Sequence, residues 1–355
     1  MKILVLNLIP NTIGDSIIML PMFSIIKKNF PQSTLVVTTD EISKELFSYS
    51  KDIDELIVIK ELSSIGDQIG KFMKILVYLK MVYRISKKLR AYRFDLCFVG
   101  WPNFFIMPLI PYLAGIRDRI GFTYPGSVFS FLLTKKIAAR NKPIDYYDRH
   151  IVENFLDLLR AENLKFVPKD VVCRIEVKDS QIQEIKSKLK KKSIYPNNKK
   201  IVSLHTTARH NTRSWPRQKF IELIGRLLKK DQSYIFFLHG AAQDKEYNEE
   251  ICKIDNSRIF NFCGELSLRE VGEVLKISDL FIGNDSGLAH YSSAVGTTSI
   301  VLFGAGTEVY GATPPVHSKP IGTGKVLLIE PKVKNRKKST VDLIEVDEVY
   351  KKIEI

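Results

Sequence analysis

Several polar loops hold the residue types that bind phosphates and sugars. Residues 205–216 read H-T-T-A-R-H-N-T-R-S-W-P, with hydroxyls and two arginines ahead of a helix expected near Pro216. Hydroxyls, guanidinium groups and the N–H groups of a helix end together suit a diphosphate; a polar surface loop is the plainer reading. Residues 283–290 read G-N-D-S-G-L-A-H. There Asp285 is placed to accept from sugar hydroxyls, and the backbone donors of Ser286 and Gly287 suit a phosphate or a ribose. The structural alternative makes Asp285 and Ser286 helix caps and His290 an interior histidine. Residues 303–311, F-G-A-G-T-E-V-Y-G, close the same edge, and G-A-A-Q-D at 240–244 borders a base or ribose. In N-L-I-P-N-T-I-G-D at 7–15, Gly14 permits close backbone approach. Asp15 is either a carboxylate at a helix start or a general base.

Other signals are absent or point elsewhere. No Walker A or G-x-G-x-x-G sequence is present, so nucleotide hydrolysis and dinucleotide binding lack their main support. Asp52-Ile53-Asp54 spells D-x-D, but it precedes a strand in a turn and reads as strand-entry carboxylates. The four cysteines, Cys97, Cys173, Cys252 and Cys263, form no C-x-x-C pair and no zinc-ligand spacing. No metal site is expected, and the cysteines read as reduced thiols of a cytoplasmic protein.

These loops need strands and helices to hold them. Short β-branched runs predict strands at 3–6, 35–38, 56–59 and 94–99, with helices over 15–29 and 70–90. In the second helix Ile75, Leu79, Val82 and Leu89 form one apolar stripe. The alternation restarts after Lys200, with strands at 201–205, 234–238, 258–262, 280–282 and 299–303. Ser267 and Glu270 make a capping box between them. Two successive βα alternations argue for α/β architecture with two doubly wound parallel sheets. The domains expected are 1–175, a basic linker at 176–200, a second domain at 201–338 and a final helix at 339–355. In such sheets ligands sit beyond the carboxyl ends of the strands, where these loops fall.

The chain has 355 residues, 45% of them hydrophobic, and a formal charge of +15. That composition excludes a disordered tail, a collagen-like repeat and a disulfide scaffold. The charge is banded: 71–93 holds eight basic residues and no acid, 186–200 seven and none, and 325–338 six against Glu330. Such bands suit an anionic partner, whether a phospholipid surface, nucleic acid or a phosphorylated glycan. The uncharged stretch 96–116 meets the crude length of a membrane span, but Pro102, Pro108, Pro111 and Gly100 break it. A buried first strand accounts for the apolar N-terminus better than a signal peptide does.

The combination of G-D opening the first helix, H-T-T-A-R…R-S-W-P, G-N-D-S-G-L-A-H and F-G…Y-G resembles glycosyltransferase family 9, the heptosyltransferases of lipopolysaccharide core synthesis. The resemblance implies GT-B architecture: two Rossmann-like domains facing across a cleft, with a C-terminal helix crossing back to the first. It implies inverting, metal-independent transfer of a heptose from a nucleotide sugar, ADP-heptose, to a lipid-linked anionic glycan, with no cofactor. By position, Asp15 matches the catalytic base, while Thr206, Thr207 and Arg213 match the phosphate-binding loop. Asp285, Ser286, Gly287 and His290 match the donor segment, and Asp244 an acid near the ribose. Arg213 stands where the family has lysine, and the segment 98–103 lacks an Asp-Gln pattern often found there. The implied setting is the cytoplasmic face of the inner membrane, docked through 71–93. A nucleotide-sugar epimerase on the same architecture and a basic nucleic-acid-binding protein are the alternatives. An epimerase would convert donor without acceptor, and the binding protein would show salt-sensitive affinity for DNA or RNA.

Overall fold

The computed structural model describes residues 1–8, 12–60, 71–100, 106–139, 148–304, 306, 313–333 and 338–353, with 71–75 described in backbone only. It divides into two compact units. The first comprises Met1–Thr12, Met19–Tyr146 and Ile151–Val171; the second comprises Ile13–Ile18, Tyr147–His150 and Val172–Ile355.

The first unit is built on β1 (Lys2–Leu6), β2 (Thr34–Thr39), β3 (Glu55–Val58), β4 (Leu96–Val99), β5 (Asp118–Thr123) and β6 (Lys135–Ala138). All neighbours pair in parallel in the order β3-β2-β1-β4-β5-β6. The second unit holds β7 (Lys200–His205), β8 (Tyr234–His239), β9 (Ile259–Asn261), β10 (Leu280–Asn284), β11 (Ser299–Leu302) and β12 (Val326–Ile329). Its order is β12-β11-β10-β7-β8-β9, again all parallel and with the same winding. Helices cover both faces of such sheets, so the strands read as continuous apolar runs; Ile3–Leu6 and Ser299–Leu302 are wholly buried. Three strands escape the sequence reading. β5 carries Asp118 and Arg119, β6 opens on two lysines, and β12 lies inside the third basic band. β6 and β12 are sheet edges, where charge is tolerated.

The helices are α1 (Ile13–Asn29), α2 (Glu41–Phe47), α3 (Lys71–Arg90), α4 (Leu109–Leu113), α5 (Val152–Ala161), α6 (Asp179–Lys191), α7 (Arg217–Lys230), α8 (Lys245–Cys252), α9 (Leu268–Ile277), α10 (Gly287–Ala294), α11 (Pro315–Ser318) and α12 (Val346–Ile353). None of the described helices is long and apolar enough to cross a membrane. Within 96–116, β4 and α4 form from opposite ends, and 101–105 lie outside the described residues. α9 opens on the Ser267–Glu270 capping box.

Three features differ from the sequence reading. The 176–200 stretch is no bare connector, because α6 buries Ile185 and Leu189 in a core with Ile201, Phe237 and Val274 of the second unit. The final helix, read as crossing to the first domain, packs Val346 and Val349 against Phe220, Leu223 and Leu227 of α7 in the second unit. On α3 the buried face is Met81, Val82, Ile85 and Leu89, while Leu79 stands 44% exposed; Ile75 falls where no side chain is described.

Neighbouring acids neutralise much of the second basic band. Lys188 pairs with Glu270 at 2.6 Å, Lys192 with Glu265, and Lys200 with Asp231 at 2.8 Å. The D-x-D pair is structural. Asp54 accepts from the Leu35 N–H at 2.6 Å and pairs with Lys27 at 2.7 Å, and Asp52 accepts from Ser24. Partial burial opposes ionisation of Asp54, but Lys27 and the Leu35 N–H outweigh it and hold the carboxyl below its ordinary value.

Candidate functional site

In the second sheet β7 and β10 lie side by side, with β8 and β11 flanking them on opposite sides, so the winding reverses between them. A crevice opens beyond the carboxyl ends of two strands at such a switch point. The residues that leave those ends are His205–Thr206–Thr207 and Asn284–Asp285–Ser286.

Asn284 ties the two loops together. It is fully buried, its Oδ1 accepts from the Trp215 N–H at 2.9 Å, and its Nδ2 donates to the carbonyls of Thr206 (3.2 Å) and Thr207 (3.4 Å). Trp215 is buried edge-on against Phe220, and its indole N–H donates to the Ile344 carbonyl at 2.9 Å. One amide therefore fixes the path of the 206–215 loop, because buried backbone groups need partners. This anchoring role escapes the sequence reading, since Asn284 and Thr206 are 78 residues apart.

Arg213 closes a short 3₁₀ turn, Asn211–Arg213, and its Nη1 lies 3.3 Å from Asp285 Oδ2. That oxygen also accepts from the Thr313 hydroxyl at 2.8 Å, a partner the sequence reading missed. Burial pushes the Asp285 carboxyl above its ordinary value; Arg213 and Thr313 work against this, and nearby Asp15 adds to it. Asp15 lies in the first turn of α1, a segment that belongs to the second unit.

The amino ends of α1 and α10 approach closely through two glycines. A Cβ on Gly287 would lie 2.8 Å from Ile13 Cβ and 3.1 Å from Gly14 N. One on Gly14 would meet His290 Cδ2 at 3.2 Å and Gly287 Cα at 3.5 Å. Two positive helix ends thus converge beside Asp15, Asp285 and Arg213, an arrangement that favours anions. His290 is buried one turn into α10, and its Nδ1 has no hydrogen-bond partner among the described residues. Burial first, then the neighbouring His150, pushes its pKa down to about 3, so the ring is neutral at pH 7. A neutral imidazole with one unused polar nitrogen in a buried position is set to meet a ligand.

One chosen residue is turned differently from the sequence reading. Thr206 is fully buried and its hydroxyl donates to Asn248 Oδ1 at 2.6 Å, so its side chain does not face a phosphate. Asp244 accepts from the Ala241 N–H at 2.7 Å and closes its own turn. Thr207 keeps its hydroxyl part-exposed, 3.5 Å from His205 Nε2. Positions 9–11, 305 and 307–312, which complete two of the chosen loops, lie outside the described residues. No group of three His, Cys, Asp or Glu among the described residues could hold a metal ion.

The model of glycosyltransferase family 9 (heptosyltransferase) matches residues 82–343, most of the chain. The chain belongs to this family. Lipopolysaccharide heptosyltransferase 2 of Salmonella typhimurium is 26% identical over 325 residues, covering 90% of this chain and 86% of that protein. Lipopolysaccharide heptosyltransferase 3 of Escherichia coli K12 is 25% identical over 302 residues, covering 84% and 81%. Among solved structures, Escherichia coli ADP-heptose lps heptosyltransferase II superposes with a TM-score of 0.78 at 20% identity, covering 100% of this chain and 98% of that one. The family 9 glycosyltransferase of Veillonella parvula gives 0.80 at 17%, covering 99% and 96%. The fold is therefore the GT-B fold of the heptosyltransferases, with two Rossmann-like sheets.

Proposed function

We propose that this protein transfers a heptose from ADP-heptose to a lipid-linked lipopolysaccharide core glycan. Membership of family 9 supports heptosyl transfer, and heptosyltransferase relatives match along most of their length. The observation that carries the site is the amino end of α10. Its backbone donors, Arg213 and the buried His290 Nδ1, which has no partner among the described residues, collect beside two carboxylates. Structural neighbours include an Escherichia coli heptosyltransferase with ADP, superposing at a TM-score of 0.70.

In this reading the donor diphosphate lies against the α10 amino end, with Arg213 and the Thr207 hydroxyl beside it. Asp285, Ser286, Gly287 and His290 hold the sugar and nucleotide, with Asp244 near the ribose. Asp15 takes the proton of the acceptor hydroxyl as its oxygen attacks the anomeric carbon. The bond from that carbon to the diphosphate breaks on the opposite face, so configuration inverts. General-base assistance of this kind contributes on the order of 10²- to 10⁴-fold in rate. Arg213 and the helix end take up the charge of the leaving diphosphate without a metal ion. A chelator should therefore leave transfer intact.

The acceptor is anchored in a membrane, and α3 supports docking at the cytoplasmic face of that bilayer. Leu76, Leu79 and Tyr83 are exposed along one helix face, Tyr83 at 64%. Lys80, Arg84 and Lys87 share that face and make no hydrogen bond or ion pair among the described residues. Apolar side chains flanked by unpaired cations on one helix face suit an anionic lipid surface. Incubation with ADP-heptose alone separates transferase from epimerase: the transferase leaves the sugar's configuration unchanged until acceptor is added, and conversion of donor alone would overturn the reading.

A further inference from the structure

His205 is the last residue of β7, and in register it lies opposite Gly283 of β10, three residues before Ser286. Its Nδ1 is 2.9 Å from Ser286 Oγ. Its Nε2 faces the Thr207 hydroxyl at 3.5 Å, a weaker contact. One ring thus spans both candidate donor loops. Either tautomer of the neutral ring is satisfied, because each hydroxyl can donate or accept.

Ser286 is the N-cap residue of α10, where a serine side chain ordinarily accepts from an N–H of the first turn. Here it makes no such bond. The Ser286 carbonyl takes the N–H groups of Ala289 (3.1 Å) and His290 (3.5 Å), and the N–H groups of Gly287 and Leu288 have no acceptor among the described residues. The eight-residue helix therefore has an amino end that its own cap residue does not close. Beside it lies the buried His290 Nδ1, also without a partner among the described residues.

We propose that His205 is a positioning residue that holds the Ser286 hydroxyl away from its own helix, keeping the amino end of α10 open for a nucleoside diphosphate. This rests on the donor reading above and adds the device that keeps its anion site vacant. Without His205, the serine hydroxyl turns onto the first-turn N–H groups, and a diphosphate must displace it. A typical N-cap bond sets the size of that competition, about fivefold in affinity.

The test measures ADP affinity by titration calorimetry for the full chain and for His205→Ala, His205→Asn, Ser286→Ala, His205→Ala/Ser286→Ala and Arg213→Ala. His205→Ala should weaken ADP binding about fivefold and raise KM for ADP-heptose more than it lowers kcat. His205→Asn places an amide where Nδ1 was, and should restore most of the affinity. In the Ser286→Ala background, His205→Ala should have no further effect, because the competing hydroxyl is gone. A loss of equal size in that background, or no rescue by asparagine, overturns the proposal and leaves His205 a packing residue. If Arg213→Ala weakens ADP and His205→Ala does not, the positioning role fails and the donor reading stands. If neither changes ADP affinity, the donor reading itself fails.

Discussion

The pairing of Arg213 with Asp285 makes a pH-resolved prediction. Their atoms lie 3.3 Å apart, with the aspartate side chain 7% exposed and the arginine 25%. Removing one partner of a fully buried pair costs about 3–5 kcal/mol. The quarter exposure of Arg213, the retained bond from Thr313 and the aspartate's option of taking a proton all reduce this. For Arg213→Ala we expect a loss of about 1–3 kcal/mol of stability at pH 8. The carboxyl is already raised above its ordinary value by burial, and loss of the cation raises it further. A native-state carboxyl with a raised pKa binds its proton more readily than in the unfolded chain, so stability falls as pH rises through that range. The penalty of Arg213→Ala should therefore be large at pH 8 and shrink toward pH 5. Arg213→Ala/Asp285→Asn should lose that pH dependence. Urea denaturation of the three proteins across this range measures it, and nucleotide titration should show a roughly ten- to hundredfold weaker ADP complex from the lost charged contact. A pH-independent penalty, or none at pH 8, would refute the electrostatic reasoning.

Other consequences follow from the same geometry. His239 and His290 are buried with pKa values pushed down to about 3, so the unfolded chain binds protons there first as pH falls below about 6.5. Stability should drop from pH 6.5 toward 4, and His239→Gln should flatten the slope of unfolding free energy near pH 5.5 by about 1.4 kcal/mol per pH unit; an unchanged slope counts against a neutral buried ring. Gly287→Ala forces backbone and Ile13 apart and should cost about 1–3 kcal/mol with a clear loss of ADP affinity. Gly14→Ala meets only the His290 ring edge and Gly287 Cα at greater distance, so calorimetry and thermal melts should rank it the milder change. Neutralising Lys80, Arg84 and Lys87 to glutamine should weaken cosedimentation with anionic liposomes by about 3 kcal/mol, on the order of a hundredfold, leaving ADP binding unchanged. Undiminished cosedimentation would make α3 a solvated face.

The sequence discloses what is local. G-N-D-S-G-L-A-H reads as strand end, loop and helix start because each step lies within eight residues, and the structure builds that succession. The capping box at Ser267 is likewise set within one turn, whereas Asp52 and Asp54 take partners 28 and 19 residues away, Ser24 and the Leu35 N–H, that the D-x-D spelling does not name. What escapes depends on distant partners. Thr206 looks like a phosphate ligand until Asn248, 42 residues on, takes its hydroxyl. Asn284 and Thr313 act through contacts made only once the sheet and its loops are assembled. On α3, apolar residues recur on both faces, so periodicity alone does not tell which meets the sheet; packing buries Met81 and Ile85 and leaves Leu79 outside. The approach of Gly14 to Gly287 joins segments far apart in sequence, and no local pattern announces it.

If Asp15 is the base of heptosyl transfer, Asp15→Asn removes the proton acceptor while keeping the side chain's size. The wild-type chain and the variant would be incubated with ADP-heptose and a lipid-core acceptor, with product read by mass spectrometry and ADP affinity by calorimetry. The wild type should give glycan extended by one heptose, the variant a fall of about 10²-fold or more, and both near-equal ADP affinity. Near-normal turnover by Asp15→Asn, or no extended glycan from the wild type, would contradict that role.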